Sequence, residues 1–271
     1  MERRGTRIAL AAWTVGVVLF LWIPIAIILV YAFNPSNVQG WPIPGFTLHW
    51  FRVAWGTTEI RQALWLSVKA GLIATGSALV LGTSAAAAVH RFRFFGREAV
   101  SFALVLPIAL PGIITGMALN SFFVTARWPA IGLATIVIGH ATFCVVIVYN
   151  NVLARLRRTQ ASLVEASMDL GADGWQTFRW VTWPVLSTAL VAGGLLAFAL
   201  SFDEVIVTTF TAGAQNTLPL WILGAIRLGQ QLPLVNVVVF AVLALTLIPV
   251  VVAQRLTRDT GVRAATVGGT P

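Results

Sequence analysis

An apolar run of eighteen or more residues has one environment that suits it: a helix across a hydrocarbon core about 30 Å thick, where all backbone hydrogen bonds close within the segment. This chain of 271 residues contains six such runs, at 8–33, 62–89, 99–120, 130–153, 185–210 and 236–253. Only 10% of its residues are charged, against about 25% in soluble proteins. The expected fold class is therefore an all-α integral membrane protein with six transmembrane helices. Residues 1–60 are read as a first helix and an external loop, 61–257 as a five-helix core, and 258–271 as a polar tail.

The segments between the runs carry the punctuation of loops. Prolines and glycines from Pro35 to Gly45 break structure after the first run, and Trp41, Phe46, Trp50, Phe51 and Trp55 suit a membrane interface. A short surface helix is expected at 48–54. The second run holds Gly71, Ala74, Gly76, Ala78, Gly82 and Ala85 to Ala88, small side chains that let helix backbones approach closely. The third is interrupted by Pro107 and by Pro111-Gly112. The backbone groups so freed need partners inside protein or in cavity water, which suits a pathway-lining helix and equally a kinked packing helix. The piece 218–226 is apolar but too short to span, and reads as a re-entrant or surface helix.

A net charge of +9 suggests nucleic acid in a soluble protein, but here the charge falls in short clusters beside apolar runs, which is a topology signal. Both termini inside puts thirteen arginines on the cytoplasmic side and leaves Arg52, Arg61, Arg127 and Arg227 outside. Lys69 lies within a span. The bias places the stretch from Arg155 to Pro184 in the cytoplasm.

Chemistry has little material to work with. Cys144 is the one cysteine, and His49, His90 and His140 have no ligand spacing among them, so no metal or cofactor is expected. No H-E-x-x-H or G-x-S-x-G occurs, and no catalytic residue is assigned.

The cytoplasmic stretch from Arg155 to Pro184 carries the most specific pattern. Ala161 to Leu170 is rich in helix formers, Gly171 suits the end of that helix, and Asp173 is placed to cap a second short one. Pro184 fits the start of the next long helix. Without further information this is a helical hairpin lying on lipid headgroups or docking to a partner protein. Glu165-Ala166-Ser167, three residues, Gly171, nine residues and Val181-Thr182-Trp183-Pro184 read as E-A-S-x3-G-x9-V-x-W-P. This resembles the EAA loop of ABC importer permeases, E-A-A-x3-G-x9-I-x-L-P, with Ser167, Val181 and Trp183 departing from it.

From about 60 to 255 the order of features resembles a type I ABC importer permease. The resemblance implies that the loop is a coupling helix docking to a cytoplasmic ATPase, with Glu165, Ala166, Ser167, Asp169, Gly171 and Pro184 at the contact or shaping it. It further implies two copies of that ATPase, a second homologous permease subunit and an external substrate-binding protein. The chain lacks G-x-x-x-x-G-K-[ST], so ATP hydrolysis is expected elsewhere. The stretch Ser201 to Gly213 resembles the spermidine/putrescine group.

Asp203 and Glu204 fall inside the fifth apolar run, where a charge costs about 2.5–3.5 kcal/mol and is rarely idle. Three readings are open: an ion pair with Lys69 at similar depth, contact with a cationic substrate, or a helix that ends before them. Lys69, Pro107, Pro111, Asp203 and Glu204 are the candidate pathway or gating residues. A stand-alone secondary transporter also suits broken helices and intramembrane carboxylates, but it leaves the EAA spacing unexplained.

Overall fold

The computed structural model describes residues 4–246. Twelve helices occupy most of that length, and no strand occurs among the described residues. In order they are α1 (Arg4–Tyr31), α2 (His49–Gly56), α3 (Thr58–Arg91), α4 (Arg97–Ala109), α5 (Gly112–Thr125), α6 (Leu133–Arg158), α7 (Ala161–Asp169), α8 (Gly174–Thr177), α9 (Trp183–Asp203), α10 (Ile206–Thr211), α11 (Leu218–Leu228) and α12 (Leu232–Thr246). A π turn, Phe178–Thr182, joins α8 to α9.

Four helical segments are long and apolar enough to cross a membrane: α1, α3, α6 and the run from α8 through α9. The pair α4–α5, bent by 104° at Leu110 and Pro111, makes a fifth if counted as one span. The expected sixth span, 236–253, passes beyond the described residues, and α12 covers its first part. The tail at 258–271 lies outside them entirely.

The chain forms two compact units, residues 1–58 with 222–271 and residues 59–221. In the described part of the first, Trp50 Nε1 donates to the Asn34 carbonyl at 3.0 Å. Phe33, Phe51 and Phe240 meet with ring centroids 5.2–5.4 Å apart, edge and tilted contacts that aromatic quadrupoles favour. The short surface helix expected at 48–54 is α2.

The second unit is organised around α6. Phe143, Cys144, Val148, Tyr149 and Val152 pack with Ala78, Ala86 and Val89 of α3 and with Leu186 and Ala197 of α9. The small-residue face expected on α3 is the buried one: Ala70, Ala74, Ala78, Gly82 and Ala86 recur every four residues and are all buried, while Gly76 points away from it. A β-carbon on Gly82 would stand 2.9 Å from the Val145 carbonyl oxygen and 3.0 Å from the Tyr149 nitrogen. Backbone meets backbone there, the approach that small side chains permit between membrane helices. Tyr149 Oη donates to Ser101 Oγ at 3.0 Å and ties α4 to the same helix.

Candidate functional site

Two regions of the second unit carry the candidate residues. The first is the hairpin after α6. α7 ends in a Schellman turn: the Ala172 amide donates to the Ser167 carbonyl at 3.0 Å and the Gly171 amide to the Met168 carbonyl at 2.9 Å. Gly171 takes φ +86°, the left-handed conformation that this closure needs and that glycine adopts without a β-carbon penalty.

Asp173 then opens α8 through a reciprocal box. Its Oδ1 accepts from the Gln176 amide at 2.8 Å, and Gln176 Oε1 accepts from the Asp173 amide at 3.0 Å. The Ser167 hydroxyl donates to the Val164 carbonyl at 2.8 Å and accepts from the Thr177 hydroxyl at 2.9 Å. Ser167 thus pins α7 to α8.

Pro184 stands at the second position of α9, as expected, yet no break precedes it: the helix runs unbroken from Gly174 to Asp203. The accommodation is the π turn, where the Trp183 amide reaches back five residues to the Phe178 carbonyl. A proline at 184 offers no N–H to the Trp180 carbonyl and its ring crowds that turn, and the wider winding makes room. Arg155 Nε donates to the Val185 carbonyl at 3.0 Å and closes the base of the hairpin.

The outer face of this hairpin is polar and apolar together. Glu165, Ala166 and Asp169 are exposed, as are Leu170 at 89%, Trp180 at 72% and Trp175 at 68%. Ser167, Leu170, Thr177 and Trp180 border a shallow groove of about 280 Å³. Exposed aromatics beside carboxylates suit a protein contact.

The second region is built from two broken helices. α10 packs on α5, where Gly112 faces Ile206 and Gly116 faces Phe210 so closely that a β-carbon would lie 2.6 Å from the ring. Asn120 Nδ2 donates to the Phe210 carbonyl at 2.6 Å. Pro107 is half-buried within α4, and Pro111 starts α5 on an exposed edge.

Asp203 and Glu204 do not lie inside one helix continuing to 210. α9 ends at Asp203, and Glu204 is extended at φ −71° and ψ 117°. Glu204 Oε1 accepts from the Val207 amide at 2.9 Å and so caps α10. The physical reason is the cost of a mid-helix charge: at the break Glu204 takes up the free Val207 amide and Asp203 is exposed. Lys69 makes no ion pair with either among the described residues, and its ammonium lies 5.2 Å from the centre of the Trp65 ring.

What pins this break was not visible as a spacing. His140, 1% exposed, stands on α6 with Nδ1 2.7 Å from Ser201 Oγ and Nε2 2.8 Å from Thr208 Oγ1. Thr208 gives its one hydroxyl hydrogen to the Glu204 carbonyl at 2.6 Å, so its oxygen accepts from Nε2–H, and Nδ1 accepts from Ser201. One imidazole therefore grips both sides of the α9–α10 break. Its partners lie 61 and 68 residues away, beyond the reach of any local motif.

Comparison with known proteins concerns the chain as a whole. A family described as "Binding-protein-dependent transport system inner membrane component" matches residues 78–261. The chain is 35% identical over 218 residues to the putrescine transport system permease protein PotI of Escherichia coli (strain K12), covering 78% of this chain and 77% of that protein. It is 32% identical over 241 residues to the spermidine/putrescine transport system permease protein PotC of the same organism, covering 89% and 90%. A crystal structure of a bacterial ABC transporter involved in the import of the acidic polysaccharide alginate contains a chain that superimposes with a TM-score of 0.66 at 16% identity, covering 96% of this chain and 98% of that one. At that identity the likeness concerns the fold alone.

Proposed function

Because this chain belongs to the family of binding-protein-dependent transport system inner membrane components, we propose that it is a permease subunit of an ATP-driven importer that carries a polyamine, such as putrescine or spermidine, into the cytoplasm. The named relatives transport putrescine and spermidine, and the observation that carries the reading in this chain is the end of α9. The last carbonyls of a helix form its negative pole, and a carboxylate beside them is unfavourable by about 0.3–1 kcal/mol. Asp203 sits at that pole, exposed, while Glu204 is already used on α10. A passing cation relieves the conflict. Discontinuous helices with their ends turned to the solute are a known way of building a transport site.

In this reading the chain supplies half of the pathway, a second homologous permease the other half, and an external binding protein delivers the solute. The chain lies in a bacterial inner membrane with both termini cytoplasmic. The hairpin of α7 and α8 docks in a groove on one of two ATPase subunits. Glu165 and Asp169 supply polar contacts, Ala166 permits close approach, Ser167 and Gly171 hold the shape, and Pro184 sets the exit into α9. Drawing the two hairpins together as the ATPases close turns the cavity from inward to outward facing. The bend at Pro107 and Pro111 and the break at Asp203 and Glu204 are the elements that move.

The test is uptake into proteoliposomes holding this chain, its neighbouring permease and the ATPase, with the binding protein outside and ATP inside. Labelled putrescine or spermidine is expected to accumulate only with ATP, and an excess of the other polyamine to compete. Uptake that follows an ion gradient and ignores ATP contradicts the proposal.

A further inference from the structure

The chain has a single lysine, and its placement is unusual. Lys69 lies eleven residues into α3, an apolar helix otherwise given to close packing. Its ammonium sits over the face of Trp65 one turn earlier, 5.2 Å from the ring centre. Both line a concave site of about 480 Å³ between the start of α3 and the segment before α11, bordered also by Glu59, Gln62, Gln215 and Asn216. Glu59 and Lys69 share one face of α3, about 15 Å apart along its axis. The cavity therefore offers an indole face for a cation, a carboxylate at the far end, and amide oxygens between them.

The chemistry of the lysine side chain matters here. It is a four-carbon stem ending in an ammonium, the same group that terminates an aliphatic diamine. An aromatic face attracts such a cation through the ring quadrupole. Trp65 is thus already occupied by a piece of the protein with the shape and charge of half a diamine.

We propose that Trp65 is an ammonium subsite for an aliphatic polyamine at the mouth of the pathway, and that Lys69 is its built-in competitor, seated on the indole until a substrate ammonium displaces it. This deepens the polyamine reading and rests on it for the identity of the solute. The displaced Lys69 then repels the bound cation, so the subsite holds its ligand weakly and passes it on. Glu59 and the amides take the other ammonium of a longer polyamine.

The decisive measurement is equilibrium binding of labelled putrescine to the assembled permease–ATPase complex in nanodiscs, with no binding protein present. Lys69→Gln, with the competitor gone, is expected to bind on the order of fivefold more tightly than the native complex. Lys69→Arg, which keeps a cation over the ring, is expected to bind as the native complex does. The gain is expected to vanish in Lys69→Gln/Trp65→Leu and to persist in Lys69→Gln/Trp65→Phe. Lys69→Met gives the same comparison if the glutamine variant fails to assemble. A glutamine or methionine variant no tighter than native, or a gain that survives without an aromatic ring at 65, overturns the proposal. Repeating the series with n-butylammonium separates the two readings. If the native complex imports no polyamine, yet the monoamine shows the gain and its dependence on Trp65, the subsite stands and the choice of solute fails.

Discussion

Leucine in place of His140 is expected to cut ATP-driven uptake at least about tenfold while the protein still inserts and binds its partners. Among the described residues the imidazole is the only side chain of α6 that bonds to both sides of the break, accepting from Ser201 and donating to Thr208. Leucine fills similar space but returns neither hydrogen bond. Thr208 keeps its bond to the Glu204 carbonyl, whereas Ser201, buried at 3% exposure, is left without its partner, at a cost of about 1–3 kcal/mol. That penalty falls on the junction whose geometry sets Asp203 and Glu204, so function should fail before folding does. Asparagine at 140, which can donate and accept over a shorter reach, is expected to lie between the two. Uptake rates at matched membrane abundance check this, and a leucine variant as active as the native protein removes His140 from the account.

A second large effect is expected at Gly82. Leucine there drives a side chain into the Val145 carbonyl and Tyr149 amide of α6, backbone atoms that have no rotamer with which to retreat. Overpacking of this kind costs about 1–3 kcal/mol when neighbours can move, and more when they are backbone. The yield of monodisperse protein in mild detergent should fall severalfold. Gly76→Leu on the same helix is the internal control: nothing lies within 4 Å of its added β-carbon, and its yield should match the native protein's. Equal losses at both positions would mean that leucine itself, and not the α3–α6 contact, is at fault.

How far the sequence foretold these details varies with how local their causes are. The α7–α8 hairpin was legible because Gly171 and Asp173 act on their immediate neighbours, one by admitting a positive φ and the other by capping. The bend between α4 and α5 was legible because prolines mark it. Nothing comparable marks the break after Asp203: no glycine or proline stands there, and a helix ending before the two carboxylates was only one of three readings open; the break falls after Asp203, with Glu204 capping α10. His140 was passed over for the same kind of reason, since its bonds run to residues on distant helices. The π turn before Pro184 was equally hidden, because proline at a helix start and proline after a π turn look identical in sequence. The lengths of the apolar runs located the four helices long enough to span among the described residues, yet the fifth run overran α9, continuing to 210 where the helix does not.

The claim that the rest depends on is that the hairpin from Ala161 to Thr177 couples this chain to an ATPase. Gly171→Pro demands φ near −65° where the turn takes +86°, and Glu165→Ala removes an exposed carboxylate from α7. The measurement is co-purification of the ATPase with the native chain and with the Glu165→Ala/Gly171→Pro variant, co-expressed with the same partners and extracted in mild detergent. The ATPase should accompany the native chain and be lost from the variant, which should remain inserted and monodisperse. A native chain that brings no ATPase, or a variant that retains it in full, would contradict the account and turn attention to a carrier that works alone.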